Sequence, residues 1–405
     1  MGVPLTPTGL RARLADGVRF RPEPFGMLAY VARRDHFYAL DQPHAALLDR
    51  LSSDRQPSSD RQPSGGWCDV APEDRAAVRR LAAIGVVATD PPTAQRAFFG
   101  QSLVGSFPQL PTPSQPMVVN CFATSHCPLR CRYCHADDLM AGVRDNERDD
   151  WIDRVIRTAD TVPAMVGVVT GGEPLSRIRQ AERLIAALAA TKSVVLDTSG
   201  VGEFERLVPV LRRYGVHVRV SLDSAAQRVN DALRPINRRY LPLGASSHGA
   251  ALAAIRTAVA EGIPCSAQTV VSSRNRELAA LLELRDLLVD AGVTTWVLHV
   301  IVRAGKAARA DRAGLLCGDD VLDTLREVVK LTADAAAPLD VRVTSTHRVP
   351  NSALLVNAEG ALCVEAPEGG RKISWRYLDA EGHASRYLNG TLEPFPQPIG
   401  AVFPG

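Results

Sequence analysis

Four of the chain's eight cysteines lie close together in the sequence. Cys127, Cys131 and Cys134 follow one another in a C-x3-C-x2-C pattern, and Cys121 precedes them. Thiolates on so short a loop can bind a closed tetrahedral zinc ion, with His135 or Cys121 as the fourth ligand. They can also bind three irons of a [4Fe–4S] cluster and leave the fourth iron open to an exogenous ligand. The spacing alone favours the cluster over zinc and leaves both open.

Three further short stretches carry groups that suit a polar ligand. The run TGGEPL has two glycines, which let a backbone approach a ligand closely, and the Glu173 carboxylate, which suits an ammonium group. The runs LDTSG and SLDS offer the hydroxyls of Thr198, Ser199 and Ser221, which suit a ribose or a carboxylate. Taken alone, each stretch also fits an ordinary strand-to-helix turn, in which Pro174 starts a helix.

These stretches follow strands in an alternating pattern of strands and helices. Parallel strands joined by helical crossovers form an α/β barrel or an open sheet, and their ligand sites lie at the carboxyl ends of the strands. The cysteine run follows the first strand, so it belongs to that face. The six strand candidates read MVVNCFA, MVGVVT, SVVLDTS, HVRVSLD, PCSAQTVVS and TTWVLHVIV.

Over roughly residues 117–305, these motifs resemble those of the radical S-adenosylmethionine (SAM) enzymes. The resemblance rests on CPLRCRYC, GGEP, the TSG turn, SLDS and the strand order. It implies a partial (β/α)6 TIM barrel, which we expect over residues 117–317. It also implies a SAM molecule that chelates the open iron of a single [4Fe–4S] cluster. An electron donor such as a flavodoxin or a ferredoxin would reduce the cluster, and cleavage of SAM would then give a 5′-deoxyadenosyl radical that removes a hydrogen atom from an unactivated carbon.

The resemblance also implies a role for each matching residue. The cluster ligands would be Cys127, Cys131 and Cys134. Tyr133 would lie near the adenine, and Arg234 would bind the carboxylate of SAM. The GGEP segment, which is Gly171, Gly172, Glu173 and Pro174, would hold the methionine amino group. The residues expected at the ribose or the carboxylate are Thr198, Ser199, Ser221 and Asp223.

Residues 1–106 are predicted to form a separate small α+β domain, and a Pro-rich linker over 107–116 marks its end. Three strands (VRF, GMLAYVA and HFYAL) precede two helices, which Asp41 and Pro72 are expected to start and between which a tandem SSDRQP repeat is inserted. The order resembles the PqqD-like recognition domain of ribosomal peptide biosynthesis. In that family a leader peptide of the precursor adds as a strand to the sheet edge. A winged-helix-like accessory domain is the alternative.

Residues 318–405 are predicted to form a short C-terminal extension with a helix over 319–335 and a hairpin that turns near Gly360. Many peptide-modifying relatives carry a cysteine-rich SPASM extension with further clusters. This chain has no second C-x2-C, so we expect no auxiliary cluster. Redox-neutral chemistry such as epimerisation then becomes possible, with Cys265 or Cys363 as a candidate hydrogen-atom donor. His299 and Arg303, near the end of the sixth strand, are candidates to point into the barrel.

Composition limits the remaining possibilities. The 405 residues carry a net charge of only +3, with 46% hydrophobic and 22% charged residues, which favours neither nucleic acid nor a membrane surface. No apolar run reaches the roughly 18 residues of a membrane span. Clustered cysteines without a signal-peptide pattern predict a reducing cytoplasmic compartment. Three functions are therefore considered: a radical SAM peptide maturase, a radical SAM enzyme with a small-molecule substrate, and a non-catalytic zinc-binding protein.

Overall fold

A computed structural model describes most of the chain and divides it into two compact units. The first unit comprises residues 1–32 and 36–111, and the second comprises residues 33–35 and 112–405. The tandem repeat, the linker residues 108–110 and much of the sequence after 378 lie outside the described residues. The described ranges are 9–53, 66–94, 103–107, 111–141, 148–237, 245–309, 314–318, 320–335, 338–343, 348–349, 353–369, 372–378 and 397–398.

The described residues of the first unit form two small sheets and two α-helices. One sheet has the order β2-β3-β4-β7 and the other the order β5-β1-β6. Their apolar faces share one hydrophobic core with both helices. The elements are β1 (Arg11–Leu14), β2 (Val18–Glu23), β3 (Gly26–Val31), β4 (His36–Asp41), α1 (Gln42–Ser53), β5 (Cys68–Asp69), α2 (Arg75–Ala83), β6 (Val87–Asp90) and β7 (Leu103–Val104).

Local sequence signals fix the ends of both helices in this unit. Asp41 precedes α1 and accepts a hydrogen bond from the backbone N–H of His44 at 3.2 Å, which satisfies one of the unpaired donors of the first turn. Pro72 starts the 3-10 turn that leads into α2. Gly85 follows α2 with a φ of 81°, a backbone conformation that favours glycine. The predicted positions of the strands β2–β4 and of both helices are confirmed, whereas the short strands β1, β5, β6 and β7 were not predicted.

The second unit is an α/β structure around a mostly parallel ten-stranded sheet. Its strand order is β14-β13-β12-β11-β10-β9-β8-β16-β17-β18. Its elements are β8 (Val118–Thr124), α3 (Asp137–Ala141), α4 (Trp151–Thr161), β9 (Val166–Gly171), α5 (Ile178–Ala189), β10 (Ser193–Thr198), α6 (Val208–Tyr214), β11 (His217–Ser221), α7 (Gln227–Leu233), α8 (Ser247–Ala260), β12 (Cys265–Val271), α9 (Leu278–Asp290), β13 (Thr295–Val300), α10 (Val321–Asp334), β14 (Asp340–Val343), β15 (Arg348–Val349), β16 (Ala353–Val356), β17 (Leu362–Gly369), β18 (Lys372–Tyr377) and β19 (Gln397–Pro398).

The six predicted strands are β8–β13, and they pair in parallel in chain order. All six carboxyl ends therefore lie at one edge of the sheet, as expected. Two further parallel strands extend the sheet: β14, which was not predicted, pairs with β13, and β16, a strand of the predicted hairpin, pairs with β8. The predicted hairpin near Gly360 is present as β16 and β17. None of the helices in the described residues combines the length and apolar character that a bilayer crossing requires.

Helix α5 shows how the sheet is covered. Its apolar positions recur every three or four residues, and Leu184, Ile185 and Leu188 are buried. Leu188 also contacts the sheet at Gly167 of β9, where a Cβ would lie 2.9 Å from one methyl group of the leucine. The glycine therefore lets this helix lie close to the strand that ends in the GGEP motif.

We expect Leu184→Ala to lower the free energy of unfolding by about 2–5 kcal/mol, because Leu184 is fully buried and its loss leaves a cavity. Val259→Ala is the control, since Val259 on α8 is 37% exposed, and it should change that free energy by less than about 0.5 kcal/mol. Urea unfolding followed by circular dichroism measures both. Equal stabilities of the two variants would contradict this description of the core.

Candidate active site

The cysteine loop follows β8 at the carboxyl edge of the parallel sheet. Its backbone is bound to a segment more than a hundred residues further along the chain. The N–H of Arg130 donates to the carbonyl of Pro235 at 2.8 Å, and the N–H of Asn237 donates to the carbonyl of Pro128 at 2.7 Å. The N–H of Arg132 donates to the carbonyl of Leu233 at 3.1 Å. The segment after α7 therefore fixes the path of the loop that carries the three thiols.

The two glycines after β9 bring the GGEP segment against the other end of this loop. The N–H of Gly172 donates to the carbonyl of Thr124 at 2.8 Å, and the N–H of Glu173 donates to the carbonyl of His126 at 2.7 Å. Gly171 has a φ of 124°, and a Cβ at Gly172 would overlap the carbonyl of His126. Glycine is required at both positions because the two backbones touch.

Glu173 is buried, and its carboxylate is fully used within the protein. One oxygen accepts hydrogen bonds from the Thr198 hydroxyl at 2.6 Å and the Leu175 N–H at 3.1 Å. The other oxygen accepts from the hydroxyl and the N–H of Ser199 at 2.6 and 2.7 Å. A carboxylate offers about four acceptor positions, and all four are occupied. Burial raises the pKa of Glu173, and these four donors oppose that rise.

These bonds bear on three of the predicted roles. The hydroxyls of Thr198 and Ser199 donate to Glu173 and accept from the N–H groups of Gly200 and Val201, which leaves each hydroxyl one acceptor position, so their roles at a ribose or a carboxylate stay predictions. The carboxylate of Glu173 has all four acceptor positions occupied by donors of the protein itself, which argues against its predicted role at the methionine amino group. The residue instead joins the end of β9 to the end of β10.

A second buried carboxylate, Asp223, lies after β11 and is used in the same way. It accepts the hydroxyl of Tyr133 and the N–H of Val270, the latter at 2.9 Å. Arg234 donates its Nε to one oxygen of Asp223 at 2.8 Å and an Nη to the other oxygen at 3.3 Å. The guanidinium also lies over the Tyr133 ring, 5.5 Å from its centre. Asp223 thus connects the cysteine loop to β12 and to the residue that follows α7, and its occupied oxygens argue against the predicted direct contact with SAM.

The remaining predicted contacts stay available to a ligand. Arg234 has five N–H donors, of which Asp223 takes two, so three remain. Burial raises the pKa of Tyr133 well above its usual range, which keeps its hydroxyl protonated and donating. Ser221 is half-buried at the last position of β11, and no hydrogen bond occupies its hydroxyl among the described residues.

The three thiols are half-buried and lie within each other's electrostatic field. Burial raises the pKa of Cys134 to about 12, and the neighbouring Cys131 adds to this rise. Burial also raises the pKa of Cys131, which the charges of Arg234 and Lys306 oppose. Metal binding requires thiolates, and these two cations favour the deprotonated form. Lys306 was not predicted to belong to the site; its backbone N–H donates to the carbonyl of Cys134 at 3.0 Å, and its ammonium group pairs with Asp137 at 3.2 Å.

This set of donors fits a [4Fe–4S] cluster, in which each of three cysteines binds a different iron. Among the described residues, no three His, Cys, Asp or Glu side chains form a group that could hold a single metal ion. The fit rests on the three thiols that follow one another on one short loop. The two nearby cations, Arg234 and Lys306, are themselves paired with Asp223 and Asp137.

The two candidate hydrogen-atom donors lie in different surroundings. Cys265 is the first residue of β12, so it lies at the amino end of the strand, which argues against contact with a substrate at the carboxyl edge. Cys363 is fully buried in a hydrophobic cluster that Cys134 also contacts. Its thiol points toward the carbonyl of Ala361 at 3.6 Å, and its role as a donor stays a prediction.

His299 lies near the end of β13, as predicted. Its Nε2 is buried and has no hydrogen-bond partner among the described residues. Burial, together with the charge of Arg219, lowers the pKa of His299 to about 4, so the imidazole is neutral near pH 7. The charges of His135 and Arg234 act in the same direction. Arg303 lies three residues beyond β13, and its predicted role stays a prediction.

Comparison with known proteins confirms the resemblance. Residues 122–300 match the model of the Radical SAM superfamily. The chain is 30% identical over 213 residues to the PqqA peptide cyclase of Streptomyces rochei, a match that covers 51% of this chain and 54% of that protein. It is 28% identical over 201 residues to the pre-heme d1 synthase of Dinoroseobacter shibae, covering 48% and 45%. The chain thus spans about half the length of the curated relatives it matches.

The fold also resembles that of a crystallised protein, Streptococcus suis SuiB. The structure of SuiB bound to S-adenosylmethionine gives a TM-score of 0.55 at 14% identity and covers 94% of this chain and 89% of SuiB. The structure of SuiB bound to its precursor peptide SuiA gives a TM-score of 0.54 at 13% identity, with coverages of 87% and 82%. At these identities the likeness shows the fold alone.

We expect Asp223→Asn to lower the free energy of unfolding by about 3–5 kcal/mol, because it leaves the buried Arg234 without its counter-charge. Asp290→Asn is the control, since Asp290 is an exposed residue at the end of α9, and it should have an effect below about 0.5 kcal/mol. Urea unfolding measures both variants. If Asp223→Asn were as stable as the control, the carboxylate would not hold the site together.

Proposed function

We propose, from the premise that residues 122–300 form a radical SAM domain, that this protein modifies a ribosomally made precursor peptide by radical chemistry. One observation carries the proposal: three adjacent thiols lie on a loop that the GGEP segment and the Asp223–Arg234 pair fix at the carboxyl edge of a parallel sheet. The modification would be a cross-link, an epimerisation or a related reaction at a C–H bond.

Cys127, Cys131 and Cys134 would hold the [4Fe–4S] cluster. When bound, the cluster and SAM supply a 5′-deoxyadenosyl radical that removes a hydrogen atom from an unactivated carbon. The surrounding side chains of the protein would bind and orient SAM. Arg234 would bind the SAM carboxylate through its remaining N–H groups, and Ser221 would bind the ribose or the carboxylate.

Three buried side chains would hold the binding residues of this site in position. Glu173 and Asp223 act as positioning residues, because every acceptor position of both carboxylates is already used within the protein. Tyr133 would present its ring to the adenine while its hydroxyl stays on Asp223. The methionine amino group is then left to the backbone of Gly171 and Gly172, since the carboxylate of Glu173 cannot accept it.

At the level of domains, the proposal assigns a partial (β/α)6 barrel to residues 117–317 and a PqqD-like, winged-helix-like domain to residues 1–106. The pairing of β8–β13 in chain order supports the first assignment. The antiparallel order β2-β3-β4 followed by two helices supports the second. The domain at 1–106 would bind the leader of the precursor, and residues 318–405 would form an extension without an auxiliary cluster.

The peptide substrate is supported by the relatives. One similar protein is a PqqA peptide cyclase, and SuiB, of similar fold, was crystallised with its precursor peptide. A flavodoxin or ferredoxin as electron donor and a reducing cytoplasmic location complete the proposal, since reduction of an iron–sulfur cluster requires a low-potential donor.

A small-molecule substrate is the second candidate, favoured by the similarity to the pre-heme d1 synthase. In that case the first unit would be a structural appendage. The two candidates share the cluster and SAM and differ only in what the first unit does.

Replacing Cys131 by alanine should abolish formation of 5′-deoxyadenosine, because the cluster would lose one of its three ligands. The assay uses protein reconstituted anaerobically with iron and sulfide, reduced with dithionite and given SAM, and it detects the product by mass spectrometry. Wild-type protein should bind about four irons per chain. Cys68→Ala, a half-buried cysteine of the first unit, is the matched control and should keep both iron and product. Unchanged product in Cys131→Ala, or zinc in place of iron, would refute the proposal.

Addition of a synthetic precursor peptide, taken from a short reading frame beside the gene, should increase the yield of 5′-deoxyadenosine and change the mass of the peptide. The reason is that the substrate must supply the hydrogen atom that the radical removes. A scrambled peptide of the same composition is the control. If neither peptide binds the protein or changes mass, the small-molecule alternative is favoured instead.

A further inference from the structure

In the four-stranded sheet of the first unit, β2 forms one edge, and the short strand β7 forms the other edge beside β4. Strand β2, at one edge, reads VRFRPE and contains a proline and three charged residues. Proline and charges on an edge strand hinder the addition of another strand. Strand β4 reads HFYALD, has no proline, and buries its central residues Tyr38, Ala39 and Leu40. Its outer edge is therefore the better place for an added peptide.

The outer edge of β4 is already occupied by a segment of the same chain. Strand β7 pairs in parallel with β4, with Leu103 opposite Ala39 and Val104 opposite Leu40. Val104 is buried and belongs to the core of the unit. Three residues later, the ring of Phe107 meets that of Phe25 edge to face, with 6.1 Å between their centres. A short segment of the same chain thus covers the edge.

The residue after β7 fits closely against β4. Gly105 has a φ of 109°, and a Cβ at this position would overlap the carboxylate of Asp41. The same carboxylate accepts the N–H of Ser106 at 2.9 Å and contacts the Nδ1 of His44 at 2.6 Å. The edge of β4 therefore fits a segment of two β-forming apolar residues, then a glycine, then a residue that donates its backbone N–H.

A cleft beside β7 shows what else a bound strand would meet. It is lined by Asp41 from β4, His44 from α1, Arg80 from α2 and Ile84, the residue after α2. Arg80 is exposed. A strand in place of β7 would thus border both a carboxylate and a guanidinium, so this lining favours neither charge in the peptide.

We propose that residues 103–107 are an internal occupant of the peptide-binding edge of β4. The partner of this edge is an extended peptide with two apolar residues followed by glycine, and the internal segment must leave before the partner binds. The inference rests on the proposed function, because it identifies the surface and the pattern by which the precursor would be recognised.

The affinity of such a partner is set by competition. A segment tethered to its own site acts at an effective concentration in the millimolar range. A peptide added in solution must displace it, so its apparent affinity is lower than that of an unoccupied edge. Mutations that release the internal segment without changing β4 should therefore strengthen binding of an added peptide.

The test uses a fluorescein-labelled peptide, QSLVGSFPQ, which copies residues 101–109, and the full-length protein without SAM or reductant. Gly105→Ala should bind it at least about tenfold more tightly than the wild type, because the added Cβ expels the internal segment and leaves the edge open. Gly17→Ala is the matched control in the same unit: Gly17 has a φ of 75°, but its nearest neighbour, the Cβ of Ala32, would be 3.8 Å away. The control should bind like the wild type.

A second variant guards against misfolding of Gly105→Ala. Ser106→Pro removes the N–H that Asp41 accepts and should strengthen binding in the same direction. Hydrogen exchange over residues 36–41 should be faster in both variants and slow again when the peptide is added. The labelled peptide with alanine in place of its glycine should not bind.

Equal affinity of the wild type and both variants for the peptide, or unchanged exchange over residues 36–41, would overturn the proposal. The result is independent of catalysis, since neither SAM cleavage nor product is measured. A protein that makes no 5′-deoxyadenosine can still show the competition. An active enzyme that lacks the competition would refute this inference and leave the proposed function intact.

Discussion

Two buried carboxylates, Glu173 and Asp223, hold the carboxyl edge of the parallel sheet in place, and the rest of the site depends on them. A buried charge is costly unless it is fully hydrogen-bonded, and each of these receives four donors from separate parts of the chain. Glu173 joins the GGEP segment to the end of β10. Asp223 joins the cysteine loop to β12 and to the residue that follows α7. The position of the three thiols is thus set by the hydrogen bonds of these two carboxylates and not by bonds of the thiols themselves.

The residues that position the cysteine loop therefore differ from those that would bind the cluster and SAM. The two carboxylates have every acceptor position occupied by donors of the protein itself. The groups that remain are the three thiols, the unused N–H groups of Arg234, the hydroxyl of Ser221 and the backbone at the glycines. Lys306 adds a positive charge beside two of the thiols. A site that holds a reactive species away from water needs buried residues that fix its geometry and a smaller set of residues that bind the ligand.

The sequence predicted those features of the fold and the site whose signal lies within one short segment. Continuous apolar runs predicted β8–β13, and the cysteine spacing predicted the loop, because both signals lie within a few residues. The partners of Glu173 and Asp223 were not predictable in this way, since Thr198 and Arg234 reach them from other elements only after the sheet forms. Strand β7 was missed for a related reason: two residues form a strand only because the edge of β4 is there to receive them. Strand β14 and the pairing of β16 with β8 likewise depend on contacts between distant segments and not on composition.

The central claim is that the three thiols hold an iron–sulfur cluster whose open iron binds SAM. Electron paramagnetic resonance of the anaerobically reconstituted, dithionite-reduced protein, recorded before and after addition of SAM, tests it most directly. We expect the signal of a reduced [4Fe–4S] cluster, with g values that shift when SAM is added because SAM binds the iron that no cysteine holds. A cluster signal that SAM leaves unchanged, or a protein that contains zinc and gives no signal, would contradict it.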